Sequence, residues 1–99
     1  MSFERIVDAD QRLIVLQALS SGAGYDLNES ILRAFLGQFG HSISNDKVRT
    51  ELRWLEEQGL LTIKLVFGIH VATITERGAD VAKGLAVVDG VNRARPSDG

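Results

Sequence analysis

Five polar side chains fall within nine residues of one amphipathic segment: Asn45, Lys47, Arg49, Thr50 and Arg53. Their types and spacing match one chemistry, the reading of duplex DNA. Arginine makes bidentate bonds to a guanine edge and asparagine does the same to adenine, and a helix lying in the major groove offers its first turns to the bases. Arg53 lies four residues beyond Arg49 and shares its side of a helix. Farther along, Lys64 and His70 stand in two short alternating runs where they could reach phosphates. The competing reading of the same residues is a solvated helix face with i,i+4 ion pairs such as Arg53 with Glu57. Catalysis lacks its constellation. His41 and His70 are far apart in sequence and no cysteine accompanies them, so no metal or cofactor is expected. No HExxH, nucleophile elbow or phosphate loop is present, and the chain is not expected to be an enzyme. His41, beside Gly40, reads as a turn residue bonded to backbone.

The elements that must position these residues follow from periodicity. Residues 1–7 read as a lead-in. Asp8 or Asp10 caps a first helix, with Ala9, Leu13, Leu16 and Ser20 on one face, widened by Ile14 and Leu19. Gly22 and Gly24 end it, and Tyr25, Asp26 and Leu27 form a connector. Asn28 opens a second helix, with Glu29 near its positive end and Ile31, Leu32, Phe35, Leu36 and Phe39 as its buried stripe. Gly40 stops it. Ser44 caps a third helix over 45–58, in which Val48, Leu52 and Leu55 mark the buried side. Trp54 sits off that stripe and is expected to pack under the strands that follow. After Gly59, Leu61–Phe67 and Ile69–Ile74 alternate as two strands about Gly68. Thr75 caps a fourth helix through Val88, whose Ala79, Val81, Ala82 and Leu85 serve the first helix or a second copy. This order defines an α+β winged helix-turn-helix: a three-helix core, a two-stranded β-wing and a C-terminal helix. Residues 1–88 form the domain, and 89–99 read as a flexible polar tail.

Composition bounds the function. Ninety-nine residues, 44% hydrophobic and 24% charged, make one ordinary globular domain. The absence of cysteine removes disulfides and thiol chemistry and fits a reducing cytoplasm. No apolar run approaches the ~18 residues of a membrane span. The net charge is −2, and no third of the chain is basic. A dedicated DNA binder usually carries a basic stripe, because phosphate contacts dominate affinity.

The runs GHSISNDKVRTELRWLEEQGLL and VATITERGADVAKG resemble small winged-helix proteins of Mu-like phages and bacterial prophages, which are often labelled ArsR-like. The resemblance spans about residues 10–96. Its most specific pieces are Gly40-His41, the segment Trp54–Leu60, and Thr75-Glu76-Arg77-Gly78 with Asp80-Val81-Ala82. It implies a phage or prophage origin and the winged-helix fold. Metal-sensing ArsR members carry cysteines on the recognition helix, and this chain has none. The ending from Asp89 to Pro96 also departs from the more basic, proline-rich ending of the family. The leading expectation is a DNA-binding protein of transcriptional-regulator type, contacting double-stranded DNA through the residues named above. It would act as a homodimer joined by its first and fourth helices. The alternative is a protein-interaction module that binds a phage or host protein in assembly, with no DNA role. The apolar hairpin tip Val66-Phe67-Gly68-Ile69 favours the alternative.

Overall fold

The computed structural model describes residues 2–22 and 26–95. The first helix, α1 (Phe3–Ser21), starts five residues ahead of the expected Asp8 cap, because Ser2 does the capping: its Oγ accepts from the Arg5 N–H at 3.2 Å. Asp8 and Asp10 therefore lie inside the helix and face other partners. Helix α1 is buried on more than one side, through Leu13, Ile14, Val15, Leu16, Ala18 and Leu19. It is the central rod of the molecule, touching all the later helices and the sheet.

Of the expected connector, Tyr25 lies outside the described residues, whereas Leu27 and Asn28 form a short strand, β1, that the sequence does not announce. Asn28 then caps α2 (Glu29–Gln38), accepting from the Ile31 N–H at 2.9 Å. The α2 stripe is narrower than expected. Leu32 and Leu36 are fully buried and Phe35 partly, but Ile31 is 50% exposed and Phe39 58%. Phe39 is the C-cap residue and lies beside Phe35 at the helix end, with ring centroids 5.5 Å apart. Helix α3 (Asn45–Glu57) is capped by Ser44 as expected and buries Val48, Leu52 and Leu55 completely.

Strands β2 (Leu61–Val66) and β3 (Ile69–Ile74) form the hairpin, and β1 pairs with the other edge of β3, giving an antiparallel sheet in the order β1-β3-β2. The expected two strands are thus joined by a third. On the core side Leu61, Ile63 and Leu65 oppose Ile74, Ala72 and His70; on the other side Thr62, Lys64 and Val66 oppose Thr73, Val71 and Ile69. Helix α4 (Glu76–Ala82) is capped by Thr75 and is shorter than expected, ending where Gly84 takes φ +80°. Val81 and Ala82 are buried and α4 packs on α1 within the chain, while Leu85, expected on the same face, is 75% exposed.

The expected tail does not begin at residue 89. Val88, Val91 and Ala94 are buried in the core, the Asn92 N–H donates to the Ala9 carbonyl at 3.1 Å, and Arg12 Nη1 donates to the Gly90 carbonyl at 3.1 Å. Residues 85–95 form a strap held along α1, anchored by three small apolar side chains spaced three apart, too sparse a signal to read from sequence. Trp54 packs against this strap at Gly90 and under the Arg12 guanidinium, 3.9 Å from the ring centroid.

The start of α4 approaches β2 so closely that a Cβ on Gly78 would collide with the Leu60 carbonyl, which is backbone and cannot swing away. Gly78→Ala should therefore cost about 2 kcal/mol and lower the melting temperature by roughly 10 °C, a shift that calorimetry checks directly. Among the described residues the architecture is α+β, with four helices and one three-stranded antiparallel sheet.

Candidate nucleic-acid interface

Helix α3 divides its side chains among three surroundings. Its buried side holds Val48, Leu52, Leu55 and an unexpected charge, Glu51, which is 1% exposed. One flank faces α1. There Lys47 Nζ lies 2.7 Å from Asp8 Oδ1 and 3.8 Å from Glu51 Oε2, and Arg12 Nε donates to Glu51 Oε1 at 3.2 Å. Burial pushes the Glu51 carboxyl above its usual range, and the neighbouring Arg12 and Lys47 only partly oppose that.

The other flank faces α2 and the hairpin. Arg49 grips Glu29 with two bonds, Nε to Oε2 at 2.6 Å and Nη2 to Oε1 at 3.2 Å. The His70 backbone N–H donates to the same carboxylate at 2.8 Å, and the His70 ring turns inward with Nδ1 3.5 Å from Glu29 Oε1. Glu29 is only 3% exposed. The Arg49 bonds hold its carboxyl below the usual range against the opposing effect of burial, with the His70 N–H assisting. One buried carboxylate thus ties together α2, α3 and β3. A second carboxylate on this flank, Glu56, accepts from the Ile63 N–H at 2.8 Å and fixes β2 to α3.

The third surface points to solvent and carries Asp46, Thr50, Arg53 and Glu57, all exposed. Thr50 Oγ1 donates back to the Asp46 carbonyl at 3.0 Å, within its own helix. The expected Arg53–Glu57 pair is not among the ion pairs of the described residues, and neither Arg53 nor Lys64 makes one.

The seven candidate residues therefore do not converge. Lys47 and Arg49, each with its side chain 34% exposed, are engaged in ion pairs with Asp8 and Glu29, and His70 faces Glu29 instead of the outside. Asn45, Thr50 and Arg53 remain exposed along α3, and Lys64 projects from the hairpin face turned away from the core. The anchoring residues Glu29, Arg12, Glu51 and Asp8 carry no motif. Only Glu51 offered a signal: it stands three residues after Val48 and four before Leu55, a core position for an acid.

His41 also differs from expectation. Its ring bonds side chains, with Nε2 2.7 Å from Asp10 Oδ2 and Nδ1 3.3 Å from Gln11 Nε2, so it ties the α2–α3 turn to α1. Among the described residues no three His, Asp or Glu side chains converge as metal ligands. Within the same residues no helix is long and apolar enough to cross a membrane.

These observations define a small α+β domain whose most polar helix is locked to its neighbours by buried carboxylates. No family model and no solved structure matches the chain. Two relatives do. Over 91 residues it is 45% identical to the "uncharacterized protein gp26" of Escherichia phage Mu, covering 92% of this chain and 94% of that protein. Over 78 residues it is 59% identical to an "uncharacterized protein" of Haemophilus influenzae (strain ATCC 51907 / DSM 11121 / KW20 / Rd), covering 78% of this chain and 76% of that one. The chain belongs to the family of Mu gp26, which places its origin among Mu-like phages.

Proposed function

We propose that this protein is a winged helix-turn-helix module that serves its phage by binding another protein, with α3 as a structural helix and the β2–β3 hairpin as the wing. The helix order, the short α2–α3 turn and the hairpin support the fold assignment. The observation that carries the functional reading is the outward row of α3. Asp46 and Glu57 set two negative charges beside the single positive charge of Arg53, so this surface repels a phosphate backbone. The cations that sequence would send to DNA, Lys47 and Arg49, are held by Asp8 and Glu29.

Asn45, Arg53 and Lys64 remain exposed, and they favour a second reading, weak DNA binding that gains from pairing two copies. Fluorescence anisotropy with a random-sequence duplex separates the two. The expected result is no binding at high micromolar protein and low salt. Binding that falls steeply with added salt, and that weakens in Arg53→Ala and Lys64→Ala, would overturn the protein-contact reading.

A further inference from the structure

The hairpin tip is where the surface departs furthest from what a solvated loop needs. Phe67 is 100% exposed, and Leu65, Val66 and Ile69 beside it are 64%, 39% and 46% exposed. Phe67 and Gly68 take φ +50° and +80°, the paired positive values of a two-residue type I′ turn. Asparagine or aspartate before glycine is the preferred chemistry there, and a bulky side chain in the left-handed region is disfavoured. The chain therefore holds an aromatic ring in full contact with water at a position where that ring also works against the backbone. Neither packing nor turn formation accounts for it. Local strain and exposed apolar surface at one residue point to a contact made outside the chain.

Resting on the protein-contact reading above, we propose that the wing tip is an anchor that inserts Phe67 into a concave apolar pocket of a different protein. Three observations select that occupant. The first is area. The tip offers on the order of 400 Å² of apolar surface, so two tips facing each other would bury about 800 Å², short of the roughly 1,200 Å² of a stable interface. The second is shape. The tip is convex and needs a cleft, and four surface concavities of this chain each carry a charged side chain in their lining, such as Lys83, Arg33, Asp89 or Lys47. Those four concavities are therefore poor receptors for the tip of a second copy. The third is charge. Lys64 is the one charged residue between Leu60 and Thr75, and the chain as a whole carries −2, so neither an anionic bilayer nor nucleic acid is drawn to this end.

The backbone adds direction to the contact. Because the Ile63 N–H leaves the sheet to reach Glu56, the alternation of β2 puts the Leu65 N–H and carbonyl on the same open edge. Glu56 closes the inner part of that edge, so a partner strand can add only beside the tip. The pocket that receives Phe67 should thus be flanked by one donor and one acceptor.

The test places a benzoylphenylalanine cross-linker at residue 67, and separately at residue 46 on the α3 surface, in cells producing a Mu-like phage that carries the variant. A discrete adduct from residue 67 is expected, mapping to apolar residues of another protein. That protein, purified, should bind the full wild-type chain. Phe67→Asn should weaken binding roughly thirty-fold, the loss typical of an aromatic anchor. The same variant should melt no lower than wild type, since asparagine suits the turn, so the binding loss cannot be ascribed to unfolding. Phe67→Tyr should retain the affinity. An adduct from residue 46 alone would leave the protein-contact reading standing and overturn the wing-tip anchor. An unchanged affinity in Phe67→Asn, or no adduct at residue 67, would also overturn it. So would a wild-type dimer in sedimentation that Phe67→Asn dissociates, or Phe67-dependent flotation with phosphatidylcholine–phosphatidylglycerol vesicles.

Discussion

Glu29→Ala should lower the stability of the domain by about 3 kcal/mol, on the order of 15 °C in melting temperature, although the residue lies at the first position of a short helix. The substitution removes an acceptor that takes two bonds from Arg49 and one from the His70 backbone, and it does so at a site that is 3% exposed. Arg49 can swing out to water, but the His70 N–H, near the tip end of β3, loses the carboxylate that accepts from it. Arg49→Ala should destabilise less than Glu29→Ala, because it leaves the His70 bond in place, and Arg53→Ala should leave the melting temperature unchanged. Thermal unfolding of the three variants, followed by circular dichroism, checks the order. Equal losses for Arg49→Ala and Arg53→Ala would show that the Glu29 tie does not hold the wing to α3. The pH dependence carries the same signature. The folded-state pKa of Glu29 lies below its usual 4.5, so its contribution is full above that value and is lost as pH falls through the folded pKa. Acid should therefore loosen the wild type more than Glu29→Gln.

The contrast between Arg49 and Arg53 shows where sequence reading stops. The three caps Asn28, Ser44 and Thr75, the stripe Val48, Leu52 and Leu55, and the hairpin turn were all legible, because each rests on a local rule of spacing or backbone chemistry. Arg49 and Arg53 are equivalent by those rules. What separates them is a carboxylate twenty residues earlier whose depth depends on how α2 docks, and no local pattern reports that. The same holds for the strap. Asp89 and Arg93 made the ending look like a tail, while Val88, Val91 and Ala94 hold it in place through contacts with a helix some eighty residues away. Ser2 is hidden for a different reason: Asp8 and Asp10 offer equally good cap chemistry closer to the apolar face, yet both lie within α1 and face Lys47 and His41.

Arg12 joins the strap to the core, and its removal should have an effect close to that of Glu29. The guanidinium donates to Glu51 Oε1 and to the Gly90 carbonyl while lying 3.9 Å from the centroid of the Trp54 ring. Arg12→Ala leaves Glu51, 1% exposed, with Lys47 Nζ at 3.8 Å as its remaining counter-charge, and an under-compensated buried charge of this kind costs about 3 kcal/mol. The strap should loosen at Gly90, and the emission of Trp54, the sole tryptophan, should shift to longer wavelength as water reaches the ring. Glu51→Gln in the Arg12→Ala background should recover much of the stability, since it removes the charge that was left behind, but it should not restore the Trp54 emission, which depends on the strap. Additive losses in the double variant would sink this account. The sign of the pH response follows from burial. The folded-state pKa of Glu51 is raised above 4.5, so the folded state binds a proton more readily than the unfolded chain does, and stability falls as pH rises from 4.5 through the folded pKa. Losing Arg12 removes the larger of the two attractions that oppose this shift, so Arg12→Ala should steepen the fall and Glu51→Gln should abolish it. Glu29 and Glu51 thus act on the two sides of one helix with opposite pH dependence, so acid weakens the anchoring of α3 on the Glu29 side and relieves the buried charge on the Glu51 side.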